Sequence, residues 1–176
     1  MYNIAIILED GFEEIEAITP YDILKRCGIN VTLVNTDNNE VTGSHGLRVL
    51  TNIVSDFSSY DALILPGGGK GAINLSNNKI VIESIQDFVR KGKLVAAICA
   101  SPAVVLEKAN VIGGLKVTCY PGMESNFTNS TYAKEDVVVD HNIITSAGPG
   151  TSAKFAFAIL KYLGVDYRQV FNDMLF

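Results

Sequence analysis

The chain has 176 residues, of which 48% are hydrophobic and 19% are charged, and its formal net charge at pH 7 is −5. This composition excludes an intrinsically disordered chain, and the acidic balance argues against nucleic acid as a partner, because phosphates require basic patches. The first apolar run, residues 4–8, is short, so we expect neither a signal peptide nor a membrane span. The three cysteines lack the spacing of a disulfide framework and indicate a reducing compartment, so we expect a cytoplasmic protein.

Strands and helices alternate along the chain, which predicts one α/β domain over residues 1–176 with a mostly parallel central sheet covered by helices on both faces. Thr151 is predicted to cap a helix with its side chain. Residues 40–54 predict short irregular strands, and residues 124–136 predict a polar loop. The predicted strands cover residues 3–8, 30–35, 61–65, 94–98, 116–120, 137–140 and 142–146, and the predicted helices cover residues 12–26, 71–75, 79–90, 103–108, 152–163 and 165–175.

Cys99 stands where the predicted strand over 94–98 leads into the next helix. Its neighbours Ala97, Ala100 and Ser101 are small, as a nucleophile on a sharp strand-to-helix turn requires. At the start of a helix, free amides and the helix dipole favour the thiolate, which is the reactive form of cysteine. The alternative is a small buried hydrophobic residue, and the position of Cys99 is compatible with both.

Glu16 lies in a row of the first helix that is otherwise apolar or cysteine. Burial there would raise the pKa of its carboxyl, and a partly protonated carboxyl can act as a hydrogen-bond donor or as a general acid and base. The alternative is that Pro20 kinks the helix and turns Glu16 into solvent. Glu13 and Glu14 are interpreted as ordinary first-turn acids without a role. The row comprises Phe12, Glu16, Pro20, Ile23 and Cys27.

Ligands of open parallel α/β sheets collect beyond the carboxyl ends of the strands. Glu16, Gly68, Cys99 and Pro149 are all predicted to lie at that edge. The amides of Gly68 and of Ala100, which follows Cys99, can bind an oxyanion. The alternative for the glycines is a tight turn without a ligand.

The sequence gives little support for a nucleotide cofactor or for a metal site. The run Gly67-x-Gly69-x-x-Ala72 matches a dinucleotide fingerprint, but no acidic residue ends the next strand to hold a ribose. His45 and His141 are the only histidines and are far apart in the sequence, so we expect no metal and no cofactor. His141 is interpreted as a turn residue, whereas His45 lies in a loop and either reaches a pocket or is solvated.

Four motifs occur along nearly the whole chain: 11-GFEEIEA-17, 65-LPGG-68, 96-AAICASP-102 and 146-SAGPGT-151. Together, and in this order, they resemble the ThiJ/PfpI superfamily in its DJ-one-like branch. The resemblance implies a flavodoxin-like three-layer α/β/α sandwich and a homodimer. Apolar residues on more than one side of the first helix fit such a dimer. They are Ile15, Ile18, Ile23 and Leu24.

The resemblance implies that Cys99 is a reactive, oxidisable thiol, that Glu16 donates a hydrogen bond to it, and that Gly68 and Ala100 supply amide donors. Members of the family are described as cofactor-free glyoxalases, protein deglycases, redox-linked chaperones and oxidative-stress sensors, and an older label is thiazole monophosphate biosynthesis. We therefore expect a cysteine enzyme that acts on small reactive dicarbonyls or their adducts. The alternative is a non-catalytic sensor or chaperone that uses oxidation of Cys99. Ala100 stands where the peptidase branch has histidine, which argues against a peptidase.

Two positions depart from the family pattern. His45 stands where close relatives have arginine, and Tyr120 stands where relatives often carry histidine. Both are expected to line the substrate site, but tyrosine is a poor base because of its high pKa, so we expect weak turnover. Cys119, beside Tyr120, is interpreted either as a packed thiol or as a resolving thiol for an oxidised Cys99.

Overall fold

A computed structural model describes residues 1–176, and strands alternate with helices over most of that length. Several predicted bounds are confirmed to the residue, and most others differ at their ends. The strands are β1 Asn3–Ile7, β2 Asn30–Asn35, β3 Glu40–Thr42, β4 Arg48–Leu50, β5 Asn52–Ile53, β6 Ala62–Leu65, β7 Leu94–Ile98, β8 Lys116–Val117, β9 Thr131–Tyr132, β10 Val137–Asp140 and β11 Ile143–Ser146.

The helices flank the sheet, and none of them is both long and apolar enough to cross a membrane. Short irregular helices separate some of the regular ones. The α-helices are α1 Glu14–Arg26, α2 Gly69–Asn77, α3 Lys79–Arg90, α4 Glu107–Ala109, α5 Ser152–Tyr162 and α6 Arg168–Asp173, with a π-helical turn over Pro102–Leu106 and 3₁₀ turns over Glu124–Asn126 and Pro149–Thr151.

The central sheet has seven strands in the order β10-β11-β7-β6-β1-β2-β5. Only β10 runs antiparallel to its neighbour, so the predicted mostly parallel sheet is confirmed. The order of the inner strands is that of flavodoxin-like folds, in which the direction of winding reverses beside β1. Beyond the carboxyl ends of β1, β6 and β7, this reversal opens a crevice, which is where such folds bind ligands.

Two apolar layers cover the sheet. Alternate residues of β1 face opposite sides, so that Ile4 and Ile6 pack with α1 and α5, whereas Ala5 and Ile7 pack with α2 and α3. This arrangement confirms the three-layer α/β/α sandwich. Ile23 and Leu24 of α1 are fully buried in the first layer, so the proposed use of these two residues at a dimer surface is wrong. The amphipathic pattern of α1 serves the core of the chain itself.

The structure corrects three local predictions. The strand predicted over 116–120 ends at Val117, and it pairs with β9 inside the predicted polar loop. Thr151 does not cap α5 with its side chain; Thr151 Oγ1 instead donates to Gly148 O at 2.8 Å. The helix after Cys99 begins with a π-helical turn at Pro102, which widens the backbone where the small residues follow the cysteine.

Candidate active site

Cys99 occupies a sharp turn directly after β7. Its φ is 65°, a left-handed conformation that costs a residue other than glycine roughly 1–2 kcal/mol. The backbone is held there from both sides, because the Cys99 amide donates to Ser146 O at 2.9 Å and the Tyr120 amide donates to Cys99 O at 2.8 Å. The predicted strand-to-helix turn is therefore confirmed, and it holds Cys99 at the carboxyl end of β7.

Glu16 is fully buried on α1, as the apolar row of the helix predicted, and the solvated alternative is excluded. The Gly67 amide donates to Glu16 Oε2 at 2.7 Å, while Glu16 Oε1 is buried without a hydrogen-bond partner. A Cβ at Gly67 would lie 2.7 Å from Cys99 Cβ and 2.8 Å from Glu16 Oε2. The absent side chain of Gly67 is therefore what allows the carboxyl and the thiol to approach each other.

The two groups perturb each other strongly. Burial raises the pKa of Glu16 from its ordinary value of 4.5 to about 7, although hydrogen bonds with Cys99 and the Gly67 amide act in the opposite direction. Burial, followed by the charge of Glu16, raises the pKa of the Cys99 thiol to about 12. The amides of Gly68 and Ala100 donate to the sulfur and lower that pKa in part. The pair is best described as one coupled site that shares a proton near neutral pH.

This coupling corrects the expectation that the free amides and the dipole at the helix start favour a thiolate, because burial and the charge of Glu16 outweigh the amides. The segment after Cys99 begins as a π-helical turn, and the sulfur is buried beside a carboxylate when Glu16 is ionised. When Glu16 is protonated, its carboxyl no longer repels a thiolate on Cys99 and can instead donate a hydrogen bond to the sulfur. Protonation of Glu16 therefore stabilises the thiolate form of Cys99. The chemistry of Cys99 thus depends on Glu16 more than on the helix dipole.

An open cavity of about 420 Å³ leads to Cys99. Gly68, Ala100, Tyr120 and Pro149 line it, as the sequence predicted for their positions. Their roles in binding remain predictions. The sequence interpretation missed the other lining residues, which are Glu13, Gly69, Ile73, Val104 and Met123.

His45 does not line this cavity, in contrast to its predicted position. Its Nδ1 lies 2.7 Å from Glu14 Oε2, and its side chain is largely exposed. Although burial acts to raise the pKa of Glu14, the hydrogen bonds from His45 outweigh it and lower that pKa to about 2. The hydrogen bond with Glu14 in turn raises the pKa of His45. His45 thus stabilises the loop against the start of α1, one residue away from the cavity wall at Glu13.

The ligand atoms of Glu13, Glu14 and His45 lie within 4.8 Å of one another, which makes them the residues best placed to hold a metal ion. Ser44 Oγ lies 3.1 Å from Glu13 Oε2 and 3.0 Å from Glu14 Oε2, so both carboxylates already have partners. This arrangement is that of an ion pair between an exposed histidine and two largely covered carboxylates. His141 lies at the hairpin turn between β10 and β11 with a φ of 51°, as predicted.

The other two cysteines have different surroundings. Cys119 is fully buried, and its thiol donates to Tyr120 O at 3.4 Å. Burial raises the pKa of Cys119 to about 11, and burial also raises the pKa of Cys27, with Asp166 adding to the effect. These contacts favour the interpretation of Cys119 as a packed thiol, and they leave Cys99 as the cysteine that lines the cavity.

The family resemblance is confirmed by comparison with known proteins. A profile described as the DJ-1/PfpI family matches residues 2–162. The protein DJ-1 homolog B of Arabidopsis thaliana is 37% identical over 163 residues, which are 90% of this chain and 37% of that protein. The chain therefore spans less than half the length of this plant relative.

Two animal relatives match over most of their own length. Protein dj-1beta of Drosophila melanogaster is 37% identical over 166 residues, 90% of this chain and 87% of that protein. The crystal structure of Drosophila DJ-1beta superposes with a TM-score of 0.94 at 33% identity, covering 99% of this chain and 97% of that one. The glutathione-independent glyoxalase DJR-1.2 of Caenorhabditis elegans is 33% identical over 156 residues, 86% of this chain and 82% of that protein.

Proposed function

This chain belongs to the DJ-1/PfpI family, and from that premise we propose that it is a cofactor-free cysteine enzyme that converts small 2-oxoaldehydes, or their adducts, into 2-hydroxy acids. The observation that carries the proposal is the coupled pair of Cys99, which lines an open cavity, and the buried carboxyl of Glu16. Perturbed, interacting ionisable groups in a cleft are typical of catalytic sites. The relative from Caenorhabditis elegans that is named a glutathione-independent glyoxalase supports the same chemistry.

The first step is addition of the thiol to the aldehyde. As the Cys99 proton moves to Glu16, the sulfur attacks the aldehyde carbon and forms a C–S bond. The carbonyl oxygen becomes an oxyanion, which the amides of Gly68 and Ala100 stabilise in this proposal, because the same two amides lower the pKa of the Cys99 thiol. Glu16 then returns its proton to this oxygen, which gives a neutral hemithioacetal and a carboxylate.

The second step is an internal transfer of hydrogen. Glu16, now ionised, removes the proton from the former aldehyde carbon, and the electron pair of that C–H bond passes toward the neighbouring ketone, which gives an enediolate and protonated Glu16. The hydroxyl proton of the first carbon then moves to the oxygen of the second carbon, and Glu16 returns its proton to the second carbon. The product is a thioester, so the aldehyde carbon is oxidised while the ketone carbon is reduced. Water then hydrolyses the thioester and releases a 2-hydroxy acid and the Cys99 thiol. The electrons balance within the substrate, and no external oxidant is required.

The test is turnover of methylglyoxal by the pure protein without glutathione, followed both as loss of the dicarbonyl and as formation of lactate. We expect Cys99→Ala to abolish turnover and Glu16→Gln to lower kcat by at least about a hundredfold, because a positioned proton carrier contributes at least that much. Cys27→Ala is the matched control and should retain wild-type turnover. Equal activity in wild type and Cys99→Ala would contradict the proposal.

A second candidate is an oxidative-stress sensor or redox-regulated chaperone that has no turnover. The two amides at the sulfur favour it, because they would stabilise a sulfinate on Cys99 as well as an oxyanion. Peptide mass spectrometry after graded peroxide separates the two functions when it is combined with the turnover assay. Selective oxidation of Cys99 in a protein without turnover would support the sensor.

A further inference from the structure

The cavity above Cys99 has an apolar wall that the steps above do not use. Ile73 on α2, Val104 on the π-helical turn and Met123 in the loop after β8 form this wall, and none of their side chains has a strong hydrogen-bonding group. Ile73 is 53% exposed even though α2 has a buried face toward the core. An exposed aliphatic side chain that borders a reactive thiol can gain burial when an apolar ligand covers it.

The charge of the cavity has a single sign. Glu13 is the only charged residue of its lining, and its carboxylate also acts on Glu16, whose pKa it helps to raise. Lys70, which lies nearby in the sequence, borders a separate polar cleft. His45 lies outside the lining, and its Nδ1 is 2.7 Å from Glu14 Oε2 and 3.8 Å from Glu13 Oε1. A substrate that carries a negative charge therefore meets a carboxylate in the cavity wall, and no cationic side chain lines the cavity to bind the substrate.

The cavity is also larger than the smallest substrates require. Methylglyoxal fills on the order of 150 Å³ even if each heavy atom takes the ~30 Å³ that one water takes in the liquid. The cavity volume is about 420 Å³. Methylglyoxal therefore fills less than half of the cavity, and its methyl group is too small to cover the side chains of Ile73, Val104 and Met123 together.

We propose that this cavity is a specificity pocket for uncharged 2-oxoaldehydes with an aryl or branched alkyl group, in which Ile73, Val104 and Met123 bind the group and Glu13 excludes anions. The substrate class rests on the proposed function of Cys99, but the selectivity of the pocket does not. It applies to any electrophile that reaches the thiol.

The first experiment compares kcat/KM for methylglyoxal, phenylglyoxal and 4-carboxyphenylglyoxal. We expect phenylglyoxal to exceed methylglyoxal by about tenfold, because its ring buries additional apolar surface. The carboxylated analogue should be slower than phenylglyoxal by about fivefold or more. Ile73→Asn should reduce the preference for phenylglyoxal, and Glu13→Gln should raise kcat/KM for the carboxylated analogue toward that for phenylglyoxal. Val139→Asn is the control, because Val139 is similarly exposed but lies outside the cavity, and it should leave both ratios of kcat/KM unchanged.

The second experiment needs no turnover. Alkylation rates of Cys99 are measured by peptide mass spectrometry with iodoacetamide, iodoacetate and N-benzyl iodoacetamide, each divided by the rate for a free small thiol. We expect the benzyl reagent to be favoured and iodoacetate to be disfavoured, with Ile73→Asn weakening the first effect and Glu13→Gln the second. Equal normalised rates for all three reagents would overturn the specificity pocket. If the reagents react in the expected order but the protein turns over no dicarbonyl, the specificity pocket is supported and only the proposed enzymatic function is rejected.

Discussion

At Gly67, a side chain that is absent decides the geometry of the site. A Cβ there would have to occupy the space between Cys99 Cβ and Glu16 Oε2, and it would lie 3.0 Å from the Ala100 amide. The Gly67 amide is itself the hydrogen-bond donor to Glu16. One residue therefore both fixes the carboxyl and leaves room for the thiol beside it.

We expect Gly67→Ala to separate Glu16 from Cys99 and to lower kcat/KM by about a hundredfold or more, because proton transfer requires hydrogen-bond distance. Overpacking of this kind costs about 1–3 kcal/mol of stability, so the variant should still fold. Gly113→Ala is the control, since its Cβ would meet nothing within 4 Å. Kinetics and a thermal unfolding curve check both points, and wild-type kinetics in Gly67→Ala would contradict this account.

The pH profile of Cys99 alkylation tests the shared proton. In the wild type we expect a first rise in rate near pH 7, where the pair loses its first proton and a fraction of the molecules carries a thiolate beside protonated Glu16. A second rise should follow at high pH, where the thiol itself ionises. Glu16→Gln should show a single rise, because only one titrating group remains. A rise near pH 7 that survives in Glu16→Gln would show that Glu16 is not the partner.

Residue-level prediction from the sequence succeeded where a local pattern carried the information. The apolar row of α1 was enough to predict burial of Glu16, and the small residues around Cys99 were enough to predict its turn. Glu13 could not be recognised in this way, because it follows the same acidic pattern as its neighbour Glu14, and only the crossing of chain segments places one of them in the cavity. Met123 gave no signal, since it comes from a loop without periodicity.

Two loops, one after β6 and one after β7, are held together at the level of secondary-structure elements. Ser101 is fully buried, and its hydroxyl donates to Pro66 O at 2.6 Å, which connects the Cys99 turn with the Gly67–Gly68 turn. The amide donors at the sulfur come from both of these turns. Their relative position therefore depends on this hydrogen bond as well as on the pairing of β6 with β7.

We expect Ser101→Ala to lower the free energy of unfolding by about 1–3 kcal/mol, because it leaves the buried Pro66 carbonyl without this donor. Activity should fall as well, since Gly68 and Ala100 are then held less rigidly around the sulfur. Ser76→Ala removes a similar hydrogen bond, from Ser76 Oγ to Ile73 O, at an exposed position of α2 and should change stability little. Denaturant unfolding checks the comparison, and equal stability of the two variants would argue against a connecting role for Ser101.

The sequence predicted the bounds of secondary-structure elements well where these elements belong to the central sheet or pack on it. The bounds of β2, α3, β7 and β10 agree with the apolar runs, because each buries a regular face. The strand predicted over 116–120 was too long, since the chain leaves the strand at Val117 so that the Tyr120 amide can reach Cys99 O. The π-helical turn after Cys99 was also missed, because propensities do not distinguish it from an α-helix. Both departures lie beside the candidate active site, where local preference gives way to tertiary contacts.

For the whole molecule, the buried carboxyl of Glu16 makes stability depend on pH. Its pKa is about 7 in the folded state and near 4.5 in the unfolded chain, so the folded state binds more protons between these values. The contribution of Glu16 to the free energy of unfolding is therefore largest below about pH 4.5. This contribution falls by on the order of 3 kcal/mol as the pH rises from there through 7. His45 acts in the same direction, but it is exposed and screened, so its effect is small.

Unfolding measured from pH 5 to 8 should accordingly show a decline in the wild type that is much flatter in Glu16→Gln. Glu83→Gln, which removes an exposed carboxyl from α3, should keep the wild-type slope. The readout is the slope of the free energy of unfolding against pH. A loss of stability by Glu16→Gln that is the same at every pH therefore does not affect the comparison. A wild-type stability that rises with pH over this range would mean that Glu16 is ionised in the folded protein.

Assembly is the remaining property of the whole molecule, and we propose a homodimer. Ile15 of α1 is 53% exposed and follows Glu14, whose ion pair with His45 connects α1 with the loop of the β3–β4 hairpin. Leu47 and Leu50 of the hairpin are also exposed, by 46% and 75%. Exposed large apolar residues on two connected elements are typical of an interface, and a two-fold pair would bury the same surface on both protomers.

We expect light scattering to give twice the monomer mass at micromolar concentration and the double substitution Ile15→Glu and Leu50→Glu to give the monomer mass, because an interface of standard size cannot bury four additional carboxylates without partners. Val139→Glu, which places a charge on an exposed apolar residue of the edge strand β10, is the control and should remain dimeric. The Glu14–His45 pair fixes the hairpin against α1, so His45→Ala should weaken the dimer to a smaller extent than the double substitution. A wild-type protein that is monomeric at these concentrations would contradict the proposal. An equal effect of Val139→Glu would indicate that the interface lies at the β10 edge of the sheet instead.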